Sequence, residues 1–118
     1  MNRKILEERK RKFHIAILKL CEFLPRNLIG FELSKQLIRS AGSVGANYRV
    51  SVRTKFKADF IYKIQIVLEE ADESHYWLKV IQQAGLVDSP ALNELVREAN
   101  ELTAIFAATD KTAKSNTK

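Results

Sequence analysis

Cysteine is nearly missing from this chain: Cys21 is the single one among 118 residues. A lone thiol excludes an internal disulfide and any zinc cage built on cysteine. Proline occurs twice and glycine four times, too few for an all-β fold with its many turns. No apolar run approaches the roughly 18 residues of a membrane span. The start, Met1-Asn2-Arg3-Lys4, leads into charge rather than into the apolar core of a secretion signal. The expected compartment is the cytoplasm, with no membrane partner.

Catalytic patterns are missing too. There is no P-loop and no dinucleotide fingerprint. Ser40, Ser43, Ser51 and Ser74 have no recognisable His–acid arrangement beside them. Di-metal bundles need Glu-x-x-His on two helices and a Glu on each of two more. Here Asp72 and His75 give Asp-x-x-His once, and the position three before His14 is Arg11. The sequence therefore implies no enzyme, no metal and no cofactor.

What is present is an ordinary globular composition, 46% hydrophobic and 29% charged, enough for one domain with a real core. The stretch Leu37–Arg53 organises it. Leu37, Ala41, Val44, Tyr48 and Val52 recur at the spacing of one helical face. Gly42 and Gly45 sit inside that helix among Ser40, Ala41, Ser43 and Ala46. Each interior glycine costs about 1 kcal/mol against alanine, so the bare face calls for a helix packed close over it. Gly-x-x-Gly also clamps nucleic-acid backbone in KH domains, but that needs a loop in a mixed fold, and no strand pattern surrounds it.

The rest of the chain reads as three more helices. The first spans about Arg3 to Leu24, on a stripe of Leu6, Phe13, Ile17, Leu20 and Leu24, and Pro25 ends it. Asn27 caps the second, about Leu28 to Arg53, with Gly30 tolerated in its first turn. Thr54 is the expected cap of the third, whose stripe includes Phe56, Phe60, Ile64, Ala71, His75 and Leu78. Gly85 stops it, and Ser89-Pro90 opens the fourth. Short connections and one stripe per helix predict an all-α, antiparallel up-down-up-down four-helix bundle over residues 1–108. A polar tail over 109–118 is expected to fray or be disordered.

Charge is segregated. The net charge is +6, from 20 Lys and Arg against 14 Asp and Glu, which favours an anionic partner such as nucleic acid. Arg49, Arg53, Lys55, Lys57 and Lys63 flank the expected turn between the second and third helices, with Asp59 the one acid among them. These are the expected phosphate contacts. Arg9, Arg11 and Lys12 belong to a second basic run, readable as a solvated helix surface or as further phosphate contacts. Glu69, Glu70, Asp72 and Glu73 follow in a block, and the antiparallel register brings Arg39 within reach of Glu73. Tyr76 and Trp77 are adjacent and cannot both face one core, which makes them candidates for an interface.

Gln36-Leu37-Ile38-Arg39-Ser40-Ala41-x-Ser43-Val44-Gly45-Ala46-Asn47-Tyr48-Arg49, with position 42 open, resembles the hallmark of the 23S ribosomal RNA intervening-sequence proteins, a family that includes the accessory variability protein of diversity-generating retroelements. Further matches are Lys57–Ile61, Glu69–Ser74 and Tyr76-Trp77-Leu78. Many members carry an acidic-glycine pair soon after the motif asparagine, where this chain has Arg49-Val50-Ser51. The resemblance implies a helical bundle assembling as a homopentamer, with no enzyme activity. It implies nucleic-acid binding and, in the retroelement branch, contact with a reverse transcriptase; few aromatics interleave the basic residues, so the expected contact is to phosphate with little sequence preference. It also implies that Arg39, Ser43, Asn47 and Glu73 serve the fold, the role that the packing of the bare helix face gives Gly42 and Gly45.

Overall fold

The computed structural model describes residues 1–116. Among them are four α-helices and no strand: α1 Arg3–Cys21, α2 Leu28–Ser51, α3 Lys57–Gln83 and α4 Pro90–Ser115. Each helix packs on its sequence neighbour, and α4 closes on α1. The bundle is the expected up-down-up-down one, 50 Å long and 22 × 21 Å across. The α2–α3 seam is the most extensive and the α1–α4 seam the thinnest.

Local chemistry sets the helix ends. Asn2 Oδ1 accepts from Ile5 N–H at 2.8 Å, and Asn27 Oδ1 accepts from Gly30 N–H at 3.0 Å. Gly85 takes φ +67°, with Gly85 N–H donating to the Gln82 carbonyl and Leu86 N–H to that of Ile81. These two bonds form the left-handed glycine cap that ends α3. Ser89 Oγ accepts from Ala91 N–H, with Pro90 in the first helical position.

Three expectations need correction. Gly30 is required rather than tolerated: a Cβ there would lie 1.7 Å from the Pro25 carbonyl oxygen, because the chain folds back tightly between α1 and α2. Thr54 does not cap α3. Its hydroxyl donates to the Ser51 carbonyl at 2.8 Å, completing the end of α2 instead. The segment 109–115 does not fray, because α4 continues to Ser115 with Asp110 and Ala113 buried. The last expected tail positions, 117 and 118, lie outside the described residues.

The core is the predicted set of stripes, with Ile17, Leu37, Ile64, Leu78, Leu102 and Phe106 fully buried. Leu6, Phe13, Leu20 and Leu24 all face it. On α3 the buried place falls to Ser74, while His75 is half-buried and Phe56 exposed. Ala71, Ser74, Leu78 and Ile81 keep the three–four spacing of one face, which leaves His75 at its edge. Ser74 and Ser40 meet across the α2–α3 seam, Oγ to Oγ at 2.8 Å. The small middle of α2 thus faces two neighbours. Ser40 and Ala41 sit in the core, while Gly42 and Gly45 lie under the side chains of His14 and Lys10 from α1.

Candidate nucleic-acid interface

An even number of helices puts the start of α1, the α2–α3 turn and the end of α4 at one end of the bundle. Val52 closes α2, and Phe56 takes the cap position of α3 with no side-chain hydrogen bond. The first N–H groups of α3 are therefore left without a side-chain acceptor. Their partial positive charge adds to the basic side chains around them.

Arg49, Arg53, Lys55 and Lys57 are exposed at this end. Lys63 is half-buried, with Nζ 5.9 Å from the centre of the Tyr62 ring. None of the five is in an ion pair among the described residues. Arg3 joins them, lining one open cleft with Lys55 and Lys57. Sequence reasoning missed Arg3, although the up-down topology itself carries the signal: the first helix begins where the second ends. Beside it, burial pushes the Tyr48 hydroxyl above its ordinary pKa and the nearby Arg3 pulls it partly back.

The other basic run is placed elsewhere. Arg9 forks onto Glu98 of α4, through Nη2 to Oε1 and through Nε to Oε2 at 3.0 Å, with Glu101 at 3.8 Å. The hydrogen bond to Glu98 raises the Arg9 pKa, so this guanidinium is committed to closing the α1–α4 seam. Lys10 is buried and paired with Glu7 at 2.8 Å. Arg11 and Lys12 are exposed, but at about 1.5 Å per residue they lie roughly 12 Å up α1 from Arg3. Lys12 borders an apolar groove of about 340 Å³ with Phe13, Leu20 and Phe23.

The motif residues build the α2–α3 seam. Arg39 Nη2 lies 2.6 Å from both oxygens of Glu73, and Nη1 lies 3.2 Å from Glu70. Trp77 Nε1 donates to Glu73 at 3.3 Å. The Arg39 hydrogen bond holds Glu73 below the usual carboxylate range, while burial pushes Glu70 above it. The two neighbouring acids are thus driven apart. Asn47 Nδ2 donates to the carbonyl and hydroxyl of Ser43, at 3.0 and 2.9 Å. Tyr76 is 59% exposed and stands edge-on to the half-buried Trp77, ring centres 5.1 Å apart. Among the described residues no group of three His, Cys, Asp or Glu is placed to hold a metal, and no helix is long and apolar enough to cross a membrane.

The family model of the 23S rRNA-intervening sequence protein matches residues 5–108. A crystal structure of a protein of unknown function from the S23 ribosomal protein family of Bacteroides thetaiotaomicron superposes with a TM-score of 0.81. It is 29% identical and covers 90% of this chain and 98% of its own. No curated protein matches the chain.

Proposed function

Because the chain belongs to the 23S rRNA-intervening sequence protein family, we propose that it is a non-enzymatic accessory protein of the cytoplasm that binds nucleic acid as a homo-oligomer. The observation that carries this is the grouping of Arg3, Arg49, Arg53, Lys55 and Lys57 at one end of the bundle, all five outside the ion pairs found among the described residues. Free cations crowded together repel one another and are relieved by a polyanion. The pentamer that the sequence resemblance implies would set five such ends around one axis and make the site multivalent.

Recognition through phosphate carries little sequence information and depends steeply on salt. With about four phosphates contacted per subunit, affinity for a structured RNA should fall on the order of 100-fold between 50 and 200 mM salt. Fluorescence anisotropy with light scattering tests this on the full chain. Arg49→Glu with Lys55→Glu should abolish the salt-sensitive binding and leave the mass of the free protein unchanged. Equal affinity at both salt concentrations would sink the proposal.

One observation favours a second reading, a scaffold for a protein partner such as a reverse transcriptase: Tyr76 presents its ring to solvent beside Trp77. Loss of assembly in Trp77→Ala with helicity retained would assign this pair to subunit contact. Retained mass with loss of a captured partner would support the scaffold.

A further inference from the structure

We propose that the cleft at the α2–α3 end holds an unpaired nucleobase stacked on Phe56, so that the preferred ligand is single-stranded nucleic acid rather than a duplex. This rests on the nucleic-acid reading above and narrows it. Phe56 occupies a helix-cap position, where Ser, Thr, Asp or Asn would ordinarily stand. It contributes nothing to the core: the residue is 69% exposed. Most of this ring is open to water, so it is free to stack on a ligand.

Its surroundings are those of a stacking platform. Lys55 and Lys57 flank it directly, and Arg53 lies two residues before Lys55. Phe56 lines an open cleft of about 360 Å³ together with Val52, Phe60, Arg3, Lys55 and Lys57. That volume falls within the range of small-molecule sites, enough for one base with part of its sugar. A second ring, Tyr62, is 62% exposed about 1.7 turns along α3 with the Lys63 ammonium over it, but it lies on another face of the helix and outside this cleft. Basic residues alone would suffice for a duplex, whose bases remain stacked within the helix. Aromatic rings interleaved with cations suit a strand whose bases are free to leave the stack.

The probes are a twelve-nucleotide oligouridine, the same backbone without bases, and a blunt duplex, each followed by anisotropy against the full-length protein. The wild-type chain should prefer oligouridine to the abasic strand. Phe56→Ala should weaken oligouridine binding roughly 5- to 150-fold, the range of one base–aromatic stack. Its affinity for duplex and abasic strand, and its salt dependence, should be unchanged. Phe56→Trp should restore the preference. Circular dichroism controls for folding, which an exposed side chain should not affect.

Equal binding of oligouridine and abasic strand by the wild type overturns the base pocket and leaves the phosphate reading standing. So does an unchanged Phe56→Ala. A fall in the solution mass of Phe56→Ala also overturns it, by assigning the ring to a subunit contact. Absence of binding to all three probes refutes both readings together.

Discussion

Alanine should act with opposite sign at three glycines of one helix. In a helix interior, glycine to alanine gains about 1 kcal/mol if the added methyl finds room. At Gly45 the new Cβ would meet Lys10 Nζ at 3.9 Å, and at Gly42 it would meet His14 Nε2 at 3.4 Å. Both are ordinary contacts with the ends of movable side chains, so most of the gain should be realised. At Gly30 the Cβ would lie 1.7 Å from the Pro25 oxygen and 2.7 Å from its carbon. Carbon and oxygen normally meet at roughly 3.3 Å, so the backbone must retreat about 1.5 Å, disturbing the Asn27 cap and the buried Leu24. Overpacking of 1–3 kcal/mol and a lost cap of about 1 kcal/mol, less the propensity gain of about 1 kcal/mol, leave a net loss of about 1–3 kcal/mol. At about 4 °C per kcal/mol, Gly30→Ala should lower Tm by about 4–12 °C and Gly45→Ala raise it by about 2–4 °C. Differential scanning calorimetry decides. A wild-type Tm for Gly30→Ala would refute the argument. A Gly45→Ala loss that grows on dilution would show that another subunit covers the bare face.

Two further outcomes follow from the seams. Glu73 is held below its ordinary value of 4.5 by Arg39. Its stabilising share is therefore complete above that pH and lost as pH falls through the lowered folded-state value. Glu70 is raised by burial and works in the opposite direction, being favoured when protonated and costing stability as pH rises through its folded-state value. Because the Arg39 side chain is half exposed, solvent screening limits the effect. Glu73→Gln should cost about 0.5–1 kcal/mol at pH 7 and less at pH 3, whereas Glu70→Gln should be near neutral or stabilising at pH 7. Thermal melts at the two pH values check the contrast, and equal losses for both variants would contradict it. Truncation after Ala108 removes the last turns of α4 with buried Asp110 and Ala113. It should cost at least about 1 kcal/mol, read by urea denaturation, and an unchanged midpoint would return this segment to a passive tail.

The fold was legible because each helix announces itself by one apolar stripe, and because Asn27, Gly85 and Ser89-Pro90 carry end signals strong enough to act locally. The Arg39–Glu73 pair was readable from register alone. What sequence could not supply was direction in space. Thr54 has the chemistry of a cap for either neighbour, and only the path of the turn assigns it to the end of α2. Gly30 looks expendable until the Pro25 carbonyl is placed against it. Four consecutive basic residues point around a helix. Arg9 reaches Glu98 on α4 and Lys10 pairs with Glu7 on its own helix, while Arg11 and Lys12 stay exposed; only the Arg9 contact needs the placement of a neighbouring helix. Arg3 was overlooked because nothing in its own neighbourhood distinguishes it; the topology brings it to the cleft. The stripe on α4 extends past the point where polar composition suggests a tail, since one alanine and one paired aspartate suffice to keep a last turn docked.

The meeting of the first and last helices at the α2–α3 end also bears on how the molecule can be handled. Met1 and Ala113 border the same depression as Tyr48 and Phe60. A purification tag or fusion partner attached ahead of Met1 would emerge beside the basic cleft. A polyhistidine tail would add its own affinity for anions there, and an acidic solubility partner would occupy the site by intramolecular attraction. The opposite end offers a neutral place for a label: the loop between α3 and α4, around exposed Asp88, lies a full helix length away. A fluorophore or an immobilising group introduced there would report on binding without competing for it.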